Sequence, residues 1–235
     1  MKILNYLFIS ALLIFFVSCL KEEDDGKNVS DNPEIASKVI GVWRGDHNFF
    51  IDCMYLREDR TMVNGHIYLS SSWSGFYSSW RIDGKNLYVW NDGYERYQWW
   101  TGYDNNVLVG INGNSLEDVR YSKIYDPVTG KSAYKLSDLE GYEFTGDCAG
   151  GMITLSFEGN NKVVRTDTDG KTGISTEREY VWKIKDNVIR FSDDGGATWP
   201  DDIWGIGVNV GKNFSGYVKA IFVDLGDVYT LLTYY

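Results

Sequence analysis

The sequence predicts an all-β protein: two small up-and-down antiparallel barrels in tandem, about eight strands each, with a short helix before the first. Three observations lead there. The first is an internal repeat. Trp80-Arg81-Ile82-Asp83-Gly84-Lys85-Asn86-Leu87 answers to Trp182-Lys183-Ile184-Lys185-Asp186-Asn187-Val188 with one residue deleted. Gly45-Asp46 answers to Gly146-Asp147, and Met62-Val63 to Val163-Val164, both displaced by 101 positions. In the closing strands Asp118-Val119-Arg120-Tyr121 matches Asp227-Val228-Tyr229. A period of about 100 residues is the size of a small domain and too long for a solenoid unit, so it reads as a tandem duplication. The second observation is punctuation: runs rich in Val, Ile, Tyr, Trp and Thr are broken by Asp83-Gly84, Asp92-Gly93, Gly113-Asn114, Asp169-Gly170, Asp186-Asn187 and Gly226-Asp227. Gly, Asn and Asp accept the positive φ of tight hairpin turns. The third is that only 3 prolines occur in the chain, none inside a candidate strand. A meander of such strands removes its exposed edges by closing on itself.

The elements follow in order. After Lys2, sixteen mostly apolar residues from Ile3 to Ser18 read as a secretory signal, residues 1–18. The run falls short of the roughly 20 residues of a spanning helix, so the mature chain is expected to carry no transmembrane helix. Residues 19–32 hold Lys21-Glu22-Glu23-Asp24-Asp25, an acidic tether that self-repulsion keeps extended. Asp31-Asn32-Pro33-Glu34 supplies a cap, a proline suited to the first turn and an acidic residue ahead of Ile35 and Val39, so a helix starts near residue 33. Residues 33–127 are assigned to the first barrel and 134–235 to the second.

The whole chain carries a formal charge of −10, and loss of residues 1–18 removes one lysine. A nucleic-acid partner is not expected, because a polyanion is repelled and no basic stripe exists to release counterions.

Val17-Ser18-Cys19 resembles a bacterial lipobox, whose cysteine is lipidated and becomes the new N-terminus. The acidic run after Cys19 is similar to the export signal of Bacteroidetes surface lipoproteins. Those resemblances imply a protein anchored in the outer membrane through lipid on Cys19 and exposed at the cell surface. A short helix followed by Gly41-Val42-Trp43 resembles the Gly-x-Trp entry of lipocalins, and more closely the compact lipocalin-like domains of Bacteroidetes lipoproteins. Trp80-Arg81-Ile82, a Gly turn and Leu87-Tyr88-Val89 look like the middle of such a domain. The likeness covers most of residues 33–125 and reaches the second unit only through the repeat, where Gly141-Tyr142-Glu143 lacks the tryptophan. Lipocalins bind small hydrophobic molecules, which the resemblance makes one candidate ligand class.

Nine Trp and seventeen Tyr compete for two roles. Large rings fill a thin barrel economically, each fully buried one stabilising the fold by about 1.5–3 kcal/mol. Alternation puts Phe76, Trp80 and Ile82 on one face, expected to be core. The neighbours Trp99 and Trp100 cannot share a face, so one ring turns outward unless a bulge or the other unit covers it. With Tyr97 and Tyr103 they form the candidate ligand-binding set, able to stack on a sugar or seat a partner; packing between the repeats is the other reading.

Ser192-Asp193-Asp194-Gly195-Gly196-Ala197-Thr198-Trp199 matches the Asp-box spelling S-x-D-x-G-x-T-W. The resemblance implies a turn device in which Ser and Asp hold the hairpin and Trp199 packs beneath it; it implies no catalysis. Asp167-Thr168-Asp169-Gly170 fails as a calcium loop, since placing Gly170 sixth puts Arg165 first and Thr176 twelfth. With two histidines, no Cys-x-x-Cys and no Gly-x-Ser-x-Gly elbow, neither a metal site, a cofactor nor a catalytic centre is expected. Cys53 and Cys148 either stay as buried free thiols or form a disulfide, which would close 94 intervening residues and contribute roughly 4–5 kcal/mol.

Two functions remain open. One is a surface-tethered, non-enzymatic binding module capturing a glycan or small apolar ligand through exposed aromatics. The other is a structural lipoprotein with filled barrels whose outer faces dock a surface protein.

Overall fold

A computed structural model describes residues 32–46, 50–68, 72–91, 96–104, 107–111, 118–136, 139–148, 150–209 and 219–234. Helix α1 (Pro33–Val39) leads into β1 (Gly41–Asp46), β2 (Phe50–Leu56), β3 (Thr61–Tyr68), β4 (Ser72–Asp83), β5 (Asn86–Asn91), β6 (Arg96–Asp104), β7 (Val107–Ile111) and β8 (Asp118–Asp126). Each strand pairs antiparallel with the next, and β1 returns to β8 with Arg44 opposite Ser122, which closes the first barrel. A short β9 (Lys131–Ser132) folds back on β8. The second meander runs β10 (Glu143–Cys148), β11 (Gly151–Phe157), β12 (Lys162–Asp169), β13 (Ser175–Lys185), β14 (Val188–Ser192), β15 (Trp204–Asn209), β16 (Lys219–Asp224) and β17 (Tyr229–Tyr234). It closes where Thr145 faces Thr233. The protein is therefore two closed eight-stranded antiparallel barrels in tandem. Among the described residues no helix is long and apolar enough to cross a membrane.

The registers correct the alignment of the repeat. Trp80 pairs with Val89 and Trp182 with Phe191, and each hairpin turns over two residues, so Leu87 corresponds to Ile189 and nothing is deleted. Likewise Ser122 opposite Arg44 and Thr233 opposite Thr145 make Tyr229, not Asp227, the counterpart of Asp118. The repeated glycine of Gly45-Asp46 and Gly146-Asp147 now has a cause. A Cβ on Gly45 would come within 2.7 Å of the Tyr121 ring, and one on Gly146 within 2.3 Å of the Leu231 carbonyl. Both barrels close by bringing the last strand hard against this position of the first.

The interiors correspond side chain by side chain. Trp43, Met54, Leu56, Met62, Trp80, Leu87 and Val89 fill the first barrel, and Phe144, Leu155, Phe157, Val163, Trp182, Ile189 and Phe191 fill the second. The tryptophan missing from the second unit is thus replaced by buried Phe144, and larger Phe157 and Phe191 restore the lost volume, as a core of fixed total size requires. Helix α1 plugs the first barrel with Ala36 and Val39, and Leu136 and Leu139 close the second. Asn32 caps α1 by accepting from the Ile35 amide at 3.2 Å, and the Val39 carbonyl accepts from the Trp43 indole at 2.7 Å. The second bond ties the helix to the barrel it plugs.

A third core lies between the barrels. Val42, Ile51, Cys53, Tyr55, Val63 and Tyr125 on the outside of the first pack against Trp204, Ile206, Val208, Phe222 and Leu231 on the outside of the second. The strands involved are apolar on both faces, which is why Cys53-Met54-Tyr55-Leu56 and Ala220-Ile221-Phe222-Val223 read as unbroken runs rather than alternations. Tyr125 and Trp204 meet with ring centroids 4.2 Å apart. Polar groups stitch the edge of this seam: Tyr55 Oη donates to Asp224 at 3.1 Å, Tyr77 Oη to the Tyr229 carbonyl at 3.1 Å, and Arg44 Nη1 to the Val208 carbonyl at 2.7 Å.

Candidate functional site

Side chains occupy both barrel axes, and two concavities among the described residues lie outside them. One is a cleft of about 320 Å³ between the turn at 127–130, which follows β8, and the hairpins of the second barrel. Its floor is β13–β14. Asp186 and Asn187 have φ of 55° and 63°, the signature of a type I′ turn, which fixes Lys185 opposite Val188 and Lys183 opposite Arg190. Val188 turns into the seam between the barrels, while Lys183 and Arg190 stand side by side on the outer face.

The Asp-box segment builds one wall. Asp194 accepts from Ser192 Oγ at 2.5 Å, from the Thr198 amide at 3.0 Å and from Thr198 Oγ1 at 2.6 Å, while Ser192 Oγ accepts from the Gly196 amide at 2.9 Å. The bonds from Ser192 and then Thr198 hold the Asp194 carboxyl well below the ordinary carboxylate range. This locked turn sets Trp199 under its own hairpin. The ring lies 3.3 Å from where a Cβ on Gly196 would stand, a tight contact, and Gly196 has φ 93°, a conformation that favours glycine. On that ring sits the Lys183 ammonium, 3.7 Å from the centroid. Arg190 Nη1 donates to the Asp201 carbonyl at 3.0 Å. The opposite wall is the 127–130 turn, closed by the Gly130 amide donating to the Asp126 carbonyl at 2.9 Å and roofed by exposed Val128.

A second, shallower concavity of about 460 Å³ lies at one end of the second barrel, among Cys148, Met152, Arg165, Ile174 and Arg178. Arg165 is 2% exposed and bonds Asp227 twice, at 2.6 and 3.1 Å, and Asp167 at 2.9 Å. Partial burial works against the Asp227 charge, but the Arg165 bonds and charge outweigh it and hold its pKa below the usual value. A carboxyl depressed in the folded state contributes stability above its unfolded pKa of about 3.9, and that contribution is lost as pH falls through the folded value. Thermal midpoints measured from pH 6 down to pH 3 should therefore fall more steeply in the wild type than in Arg165→Met, which lacks the pair.

The candidate residues fare unevenly. Tyr103 is not a surface aromatic: it is 8% exposed in the first barrel's core. Leu87 pairs with Thr101 but Tyr88 pairs with Trp99, so Trp100 is an extra, bulged residue, and the shift in phase carries Tyr103 inward. The side chains of Tyr97, Trp99, Trp100 and Phe76, and all of Cys19, lie outside the described residues; Trp80 and Ile82 are core. Cys53 and Cys148 form no disulfide. Both thiols are free, Cys53 buried in the seam and Cys148 half-buried at the end of the second barrel. Burial first, and Asp52 second, push the Cys53 thiol far up, which leaves it an inert core group. Asp169 serves the β12–β13 turn, accepting from the Lys171 and Thr172 amides at 2.9 and 2.7 Å. Among the described residues no cluster of His, Cys, Asp or Glu could hold a metal ion.

Sequence reading did not single out Lys183, Lys185 or Arg190. The signal was present, since a two-residue Asp-Asn turn fixes the register that opposes Lys183 to Arg190. No model of a known protein family matches the sequence, and no curated protein matches it.

Proposed function

We propose that this chain is a lipid-anchored, non-enzymatic binding protein of the cell surface that captures a small glycan on the outside of its barrels. The observation that carries the reading is where space is found. Trp43, Trp80 and Tyr103 in one barrel and Phe144, Phe157 and Trp182 in the other fill the axes, whereas the 320 Å³ cleft beside Trp199 is open and polar. That volume is at the lower end of the roughly 300–1,000 Å³ of small-molecule sites. It argues against the apolar cargo of a lipocalin. Lipid on Cys19 would place the cleft outside the membrane, several acyl chains holding stably where one holds weakly.

Titration of the full-length chain with a panel of glycans and fatty acids, read by intrinsic tryptophan fluorescence, tests this. A saturable change with a glycan and none with fatty acids is expected. Saturation by a fatty acid, or silence across the panel, would overturn it.

A second reading has its own observation. Met152 is 42% and Ile174 66% exposed at the end of the second barrel, beside the 460 Å³ concavity. Apolar side chains left in water around a hollow suit a protein partner. Silence across the panel would favour this reading.

A further inference from the structure

We propose that the cleft beside Trp199 is specific for an acidic sugar, with Lys183 and Lys185 holding its carboxylate. This rests on the capture reading above and names its ligand.

The first ground is an electrostatic conflict within the sheet. Lys183 and Arg190 are direct cross-strand neighbours, and like charges so placed destabilise a sheet. The conflict stands in a chain of net charge −10, where carboxylates are plentiful, yet among the described residues neither Lys183 nor Lys185 has a carboxylate within salt-bridge distance. In the first barrel the same hairpin carries Asp83 where the second carries Lys185, so the cationic pair of lysines belongs to one copy only. The Asp201 carboxylate, 3.6 Å from Arg190 Nη1, offsets part of this repulsion from the exposed side, and a bound anion would offset what is left at the two lysines.

The second ground is preorganisation. Lys183 rests on the Trp199 ring, whose position the Asp194 turn fixes, and Arg190 is anchored on the Asp201 carbonyl. Ordering a lysine is a large part of the entropic cost of binding with it, and here the ring has already met part of that cost. Arg190 acts as a positioning residue, because Asp201 already takes its Nη1.

The third ground is selectivity by chemistry. Two carboxylates, Asp186 and Asp201, line the same cleft, and the Asp201 side chain is 99% exposed. They accept from hydroxyls and repel a polyanion. Cations for one acid group combined with acceptors for several hydroxyls describe a polyhydroxylated monocarboxylate. A fatty acid would need an apolar slot, and of the lining only Pro127, Val128 and the Trp199 edge are apolar. A neutral sugar would leave the lysines unused.

The test is calorimetric titration of the full-length chain with glucuronate, glucose and inorganic phosphate, repeated with Lys183→Gln/Lys185→Gln. Glucuronate is expected to bind at least tenfold tighter than glucose or phosphate, to weaken as salt rises, and to lose at least tenfold in the double variant. The variant's melting temperature should stay within a degree or two of the wild type, since it removes a cross-strand repulsion along with a cation–ring contact. Equal binding of glucose and glucuronate, or an unaltered double variant, would overturn the acidic-sugar assignment while leaving glycan capture standing. No binding of these or of any glycan in the wider panel would end both.

Discussion

Trp80→Ala is expected to lower the unfolding free energy by about 3–5 kcal/mol, the range for removing a buried aromatic from a core that cannot collapse around the gap. Trp80 is 1% exposed in the first barrel's core, with the Arg60 guanidinium 4.5 Å from its ring centre. Its indole N–H donates to the carbonyls of Arg57 at 3.1 Å and Thr61 at 3.0 Å, fastening β4 to the β2–β3 turn. Trp182 holds the equivalent place in the second barrel, but among the described residues its N–H has no partner. The symmetry makes a controlled comparison. Trp80→Phe should cost about 1 kcal/mol more than Trp182→Phe, the worth of the bond that only Trp80 makes. Urea unfolding of these three variants and the wild type measures the losses, and equal losses from the two Phe variants would remove the bond's role.

Asp224→Ala is expected to cost about 2–4 kcal/mol, because it strips the acceptor from the buried Tyr55 hydroxyl across the seam and leaves Arg57 Nε and the Gly226 amide without theirs. Asp224 accepts from Tyr55 Oη at 3.1 Å across the barrels and from the Gly226 amide at 3.0 Å, with Arg57 Nε 3.4 Å away. Burial raises its pKa, and the bond from Gly226 and the charge of Arg57 only partly offset that. The sign follows. A carboxyl raised in the folded state gives stability that is present below the unfolded pKa and lost as pH rises through the folded value. Asp224→Asn keeps an acceptor and cannot ionise, so at neutral pH it should lie within about 1 kcal/mol of the wild type. Because the wild type gains stability as pH falls, the Asn variant should compare less well with it at pH 5 than at pH 7. Urea midpoints at pH 7 and pH 5 decide this, and a large loss from the Asn variant would contradict it.

The strands and turns were legible because each carries its own local chemistry. Asp-Gly and Asp-Asn turns mark the hairpins, and alternation found Trp80 and Ile82. What failed was phase. An apparent deletion in the repeat arose from matching Leu87 to Val188 by side-chain likeness, when cross-strand register pairs the turns residue for residue. Tyr103 was misplaced because one bulged residue, Trp100, inverts the alternation and leaves no mark in composition. The seam was written in plain sight as Ala220-Ile221-Phe222-Val223, a run apolar on both faces, although which barrel face it covers depends on contacts far apart in the chain. The cleft depends on three segments at once: the 127–130 turn, the β13–β14 hairpin and the Asp-box loop. The Asp-box spelling foretold how Trp199 is held, but not that Lys183 would lie on it.

The claim that ligand is met outside two filled barrels is tested most directly by hydrogen exchange of the full-length chain with and without saturating glucuronate. Exchange should slow at 128–130, 183–190 and 198–201, while β4 around Trp80 in the first barrel and β11 and β12 in the second stay unchanged. Protection confined to those interior-facing strands, or no change anywhere, would contradict it.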